Sequence, residues 1–333
     1  MHPDSNWPQQ KLQCFFPLKD TGWSEGEIEE GLSIRRLKIA DRMDLTNHYY
    51  LSPAHCRELL NSELWIHYTF LGEAGRQFKA YEEAEQQIRD LISVMLVFRP
   101  RLHLDLMLFL PSGQTGSPEL ISSLPKFVQV PIRVNVNDFG SPDLGELSAA
   151  FTRFRKCSEV ALTRLINPVR LLEHGLQARE PHLATLLWTM GLDSLLMPKN
   201  SKLFVSRLCR LLGPESYVFG RGKFLGEQPS IKVGDIAEDL YKFRSKIAHG
   251  NDIPIRFREK FALRSTTGEE IYCGEGHSHL PYRAILHSAA LFLLLAAIRG
   301  ILTDANLHGL VQHEDSWLGY LDGRDSRKAK ATG

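Results

Sequence analysis

The apolar residues of this chain repeat at two different periods, and the change falls in one stretch, DFGSPDLGE, at residues 138–146. Before it, RLHLDLMLFL alternates Leu102, Leu104, Leu106 and Leu108 against His103 and Asp105, and FVQVPIRVNV alternates Val128, Val130, Ile132 and Val134. A period of two is the mark of a half-buried strand. GLSIRRLKI and ELWIHYTFLG read as two more strands. KAYEEAEQQIRDLISVMLVF instead gathers Tyr81, Ile88, Leu91, Ile92, Met95 and Leu96 near one face of a helix. Residues 30–140 are therefore expected to form a small α/β domain. MHPDSNWPQQ, residues 1–10, lacks the basic-then-apolar order of a signal peptide, and residues 1–29 are expected to form a flexible arm.

After the Gly, Ser and Pro of residues 138–146 the apolar residues recur every three or four positions. Helices are predicted near 144–157, 159–178, 182–196, 201–213, 233–249 and 282–303, so residues 141–310 read as an all-helical bundle. A polar, Gly-containing insertion at 251–281 interrupts it, with room for a short hairpin, and residues 311–333 read as a basic tail. The fold class is α+β overall. SAALFLLLAAI, residues 288–298, is flanked by His287 and Arg299. It falls short of the roughly 20 residues a membrane crossing needs and reads as a buried core helix.

Lys and Arg together number 40 against 39 Asp and Glu, so no overall basic field holds the chain on nucleic acid, and any such contact needs a local patch. Cys14, Cys56, Cys157, Cys209 and Cys273 are odd in number and form no CxxC pair. That set fits a reducing compartment, and a cytoplasmic protein is expected. No GxSxG elbow, phosphate-binding loop or dinucleotide motif is present, and no cofactor is expected. Cys273, His277 and His279 are zinc-ligand types, but no second Cys pair completes a tetrahedron, so no metal is expected. Trp65, Tyr68 and Phe70 are able to stack on bases, but strand aromatics more often belong to the core.

The stretch with the most chemistry is YKFRSKIAHG, residues 241–250. Ile236, Leu240, Phe243 and Ile247 form a buried stripe at spacings of four, three and four, with Asp235 as N-cap and Gly250 just past the C-terminus. Arg244 lies at the edge of this stripe, and His249 falls about 140° further round. A guanidinium offers forked donors to phosphate oxygens, and an imidazole moves protons near neutral pH. Together they suit phosphodiester cleavage without a metal. The plainer alternative is a solvated arginine and a terminal histidine that caps the last carbonyls. Arg221 and Lys223 in GRGKF, with Lys246, Arg256 and Arg258, are candidates for a basic lip that contacts RNA.

The same stretch resembles the signature of HEPN domains (higher eukaryotes and prokaryotes nucleotide-binding), most closely the Apea-like branch. In that motif an arginine and a polar residue precede a histidine, with Tyr or Phe before and Gly after. Arg244, Ser245 and His249 fill the three positions. LLWTMGLDSLLM resembles the helix that carries an acidic residue before a Leu-rich run. The family usually has Glu where this chain has Asp193. KLFVSRLCRLLG then matches the next amphipathic helix.

The resemblance covers roughly residues 146–305 and is silent on residues 1–140. It implies a homodimer whose two motif helices face each other across one cleft. It further implies a metal-independent endoribonuclease that leaves a 2′,3′-cyclic phosphate and a 5′-hydroxyl. His249 is then general base or acid, Arg244 stabilises charge on phosphate, Ser245 orients, and Asp193 positions Arg244 or His249. The first domain would be a sensor or regulator, and the biology would be phage defence or a toxin. The alternative is a catalytically silent HEPN module that binds nucleotide or RNA, or scaffolds a complex.

Overall fold

The structure, a computed structural model, describes residues 9–19, 22–47, 51–73, 77–100, 106–111, 120–123, 142–218, 232–249, 263–264, 270–271 and 280–324. The chain divides into two compact units, one of residues 1–95, 101–127 and 141–151, the other of residues 96–100, 128–140 and 152–333.

The first unit is built on a six-stranded sheet. Its strands are β1 (Gln9–Leu18), β2 (Gly26–Glu29), β3 (Leu32–Arg36), β4 (Leu64–Glu73), β5 (Leu106–Pro111) and β6 (Leu120–Ser123), in the order β2-β3-β4-β1-β5-β6. Among the described residues all five pairings of this sheet are antiparallel, so the unit is α+β there and not the expected alternating α/β arrangement. Strands β3, β4 and β5 lie within the segments read as strands, but β5 is buried at every residue rather than half-buried. FVQVPIRVNV is outside the described residues.

The expected arm is corrected over residues 9–19 and 22–29, where β1 is a central strand of the sheet and β2 its edge. Strand β1 pairs along its whole length with β4, from Gln9 opposite Glu73 to Leu18 opposite Leu64, and with β5 on its other edge. Every residue from Leu12 to Leu18 is buried. A strand covered on both faces needs no polar alternation, and QQKLQCFFPL accordingly shows none.

Helices α1 (Ile39–Thr46) and α2 (Pro53–Asn61) cover one face of this sheet: Leu45 and Leu59 pack with Phe15, Trp65, Leu106, Leu108 and Leu110. Helix α3 (Gln77–Phe98) covers the other, where the Tyr81 ring lies 5.1 Å from Phe109 and 6.1 Å from Phe70. Trp65 is fully buried, and its Nε1–H donates to the Ser62 carbonyl at 2.7 Å, so it belongs to the core. Tyr68 and Phe70 are half-buried and stack on each other at 5.3 Å.

Among the described residues eight further helices follow: α4 (Leu144–Glu159), α5 (Thr163–Gln177), α6 (Pro181–Leu196), α7 (Ser201–Leu212), α8 (Val233–Ala248), α9 (Leu280–Thr303), α10 (Ala305–Val311) and α11 (Glu314–Leu321). The first six match the predicted segments within a few residues. In the insertion, β7 (Leu263–Arg264) and β8 (Glu270–Ile271) pair antiparallel, and most of its remaining residues lie outside those described.

Helix α6 is the hub of the second unit and packs against α5, α8 and α9. Gly175 permits its closest approach to α5. A Cβ there would meet Trp188 Nε1 at 2.2 Å, and that same Nε1–H donates to the Leu172 carbonyl at 3.2 Å. In α9 every residue from Leu286 to Leu295 is buried. Its apolar window, Leu286–Thr303, is long enough to cross a membrane but is 78% buried, as a core helix is.

The expected tail from residue 311 is a second correction. Val311 ends α10, and α11 follows it with a fully buried Trp317 whose Nε1–H donates to the Leu195 carbonyl at 2.7 Å. Buried Arg207 on α7 then joins two helix ends. It donates to the Leu196 and Met197 carbonyls at 2.8 and 2.7 Å, and it pairs with Asp322 at 2.8 Å. Eight residues with one aromatic anchor are too short a signal for helical periodicity.

Candidate functional site

Helices α5, α6 and α8 enclose an open cleft of about 530 Å³ within the second unit. Asn167, Arg170, Leu171 and His174 line it from α5, at spacings that place all four on one helix face. The opposite face of α5, with Leu165, Val169, Leu172 and Leu176, is buried and fixes the rotation of the helix. Met190, Asp193 and Ser194 line the cleft from α6, and Arg244 from α8.

Arg244 and Asp193 are the two expected residues that the fold brings together. Arg244 Nη2 lies 2.6 Å from Asp193 Oδ2, and the guanidinium stands over the Tyr241 ring at 5.6 Å. The shorter acidic side chain thus reaches the arginine. The pair is one third to one sixth exposed, with relative side-chain areas of 31% for Arg244 and 16% for Asp193. Burial pushes the Asp193 carboxyl up to about 6, and the guanidinium pulls it down without overcoming that effect. Among the described residues, Asp193 Oδ1 and Arg244 Nε are buried with no hydrogen-bond partner.

The histidine of the motif is placed differently. His249 follows the last residue of α8 with φ −93° and ψ 5°, its backbone N–H donates to Ser245 O at 3.1 Å, and its side chain is exposed. It is not among the residues that line the cleft. Five residues along an α-helix amount to about 7.5 Å of rise and about 140° of rotation, which accounts for the separation. Ser245 and Lys246 are half-buried on the same turn. Of the apolar stripe, Ile236, Leu240 and Phe243 are buried and Ile247 is half-buried. Asp235 lies inside the helix rather than at its cap, and its carboxylate accepts the Lys232 backbone N–H at 3.4 Å.

Arg221, Lys223, Gly250, Arg256 and Arg258 lie outside the described residues, as do Cys273, His277 and His279. Among the described residues no group of three or more His, Cys, Asp or Glu is arranged to hold a metal ion. Sequence reasoning missed Arg170 and His174. Their signal is the NPVRLLEH face of α5, where Asn, Arg and His recur at spacings of three and four.

Comparison with protein-family models, with curated proteins and with solved structures finds no match to this chain.

Proposed function

We propose that the protein is a metal-independent endoribonuclease of HEPN type, acting in the cytoplasm, with phage defence or toxicity as its biological setting. The observation that carries the reading is the 2.6 Å pair in an open cleft of Arg244, from the motif, and Asp193, from the upstream helix that the same resemblance covers. In this mechanism the RNA 2′-oxygen attacks the adjacent phosphorus while the bond to the 5′-oxygen breaks. A base takes the 2′-hydroxyl proton, and an acid returns one to the leaving 5′-oxygen. The products are a 2′,3′-cyclic phosphate and a 5′-hydroxyl. Arg244 stabilises the charge gathered on the phosphoryl oxygens, and Asp193 holds its guanidinium in place. His249 is the base or acid, and Ser245 orients it or the RNA.

The exposure of His249, away from the cleft of its own chain, supports a homodimer in which each copy serves the other's cleft. Leu183, 48% exposed on α6, offers apolar surface for such a contact. The first unit, α+β and outside the resemblance, is then a sensor or regulator.

RNA cleavage in EDTA by wild type, Arg244→Ala and His249→Ala tests the reading. Cutting by wild type alone is the expected result. Equal cutting by all three, or metal-dependent cutting, contradicts it. The placement of His249 also favours a second reading, a catalytically silent module that binds nucleotide or RNA or scaffolds a complex. RNA binding without cutting is the result that selects it.

A further inference from the structure

Arg244 is already engaged by Asp193, so its charge is in part compensated before any ligand arrives. The uncommitted donors of the cleft stand on the opposite wall. Arg170 and His174 are exposed, four residues apart on α5, and both line the cleft. Among the described residues neither side chain has a hydrogen-bond or ion-pair partner. Asn167, one turn before Arg170 on the same face, adds amide donors.

We propose that Arg170 and His174 form a phosphate subsite on the α5 wall, which takes a backbone phosphate of single-stranded RNA beside the one held at Arg244. The inference rests on the RNA reading above and extends it to residues outside the motif. The charge balance favours an anion, since the lining carries two guanidinium groups against one carboxylate. A guanidinium grips phosphate with two parallel bonds, and an imidazole one turn along the same face adds a third donor. Leu171 and Met190 supply apolar surface against which a base or ribose can rest. A volume of about 530 Å³ suits a nucleotide-sized group.

The test is equilibrium binding of a 2′-O-methyl RNA oligonucleotide, which lacks the attacking hydroxyl, to the full chain across a range of salt concentrations. Wild type is compared with Arg170→Ala, Arg170→Lys, His174→Ala and Lys199→Ala, the last an exposed residue outside the cleft. Arg170→Ala is expected to bind about tenfold more weakly, with a salt slope shallower by about 0.7 for one lost phosphate contact. His174→Ala should lose less, and Arg170→Lys should recover part of the loss. Melting curves matching wild type exclude misfolding, which is expected for exposed positions on a helix.

If Arg170→Ala and His174→Ala lose no more than Lys199→Ala, or if wild type fails to bind the RNA, the subsite is overturned. Parallel cleavage of unmodified RNA separates the two readings. Cutting with unaltered binding by both α5 variants removes the subsite and leaves the nuclease. Binding that depends on Arg170, with no cutting by wild type, removes the nuclease and leaves the subsite.

Discussion

At the residue scale the cleft turns on Asp193. Burial and the neighbouring guanidinium act on its carboxyl in opposite directions, and burial prevails, raising it from the ordinary 3.8 to about 6. The folded protein therefore holds this proton more tightly than the unfolded chain does. The corresponding stability is fully present below about pH 4 and is lost as pH rises through about 6. Asp193→Asn removes the titration. Urea unfolding at a series of pH values should show the variant gaining on wild type between pH 4 and 6.5, then levelling off about 1–2 kcal/mol ahead, part of the shift being screened by solvent. A variant that instead falls further behind wild type as pH rises would mean that the ion pair outweighs burial. Asp193 and Arg244 were legible because a motif resemblance pairs them. Arg170 and His174 were not, since polar residues on a helix face look the same in solvent as in a cleft.

At the element scale the cleft depends on how closely α5 approaches α6. Gly175→Ala places a methyl against the indole of Trp188, which is fully buried and has no room to yield. A loss of about 2–3 kcal/mol is expected in denaturant unfolding, the ordinary cost of overpacking a core. Arg207→Ala should cost about 2–3 kcal/mol in the same assay, because it leaves the end of α6 uncapped and Asp322 with Arg324 alone, at 3.0 Å. Unchanged stability in either variant would contradict the packing described.

The helices α4 to α9 could be read from the sequence because each keeps an apolar spacing of three and four. Strand β1 could not, because burial on both faces erases the alternation that marks a strand. Helix α11 was hidden for another reason: its docking rests on Trp317 and on backbone groups of α6, which no local pattern records.

At the scale of the whole molecule, the proposed composite site needs two copies of the chain. A mixture of Arg244→Ala and His249→Ala chains should regain about a quarter of wild-type cleavage, since half of the random dimers then hold one intact composite site. Mixing without recovery would place Arg244 and His249 of a single chain in each site and would remove the dimer from the mechanism. The most direct test of the central claim is end mapping of RNA cut by wild type in EDTA, beside Arg244→Ala and His249→Ala. Wild type is expected to leave 2′,3′-cyclic phosphate and 5′-hydroxyl ends, and neither variant to give products. Products with 5′-phosphate ends, or cutting that survives both substitutions, would contradict it.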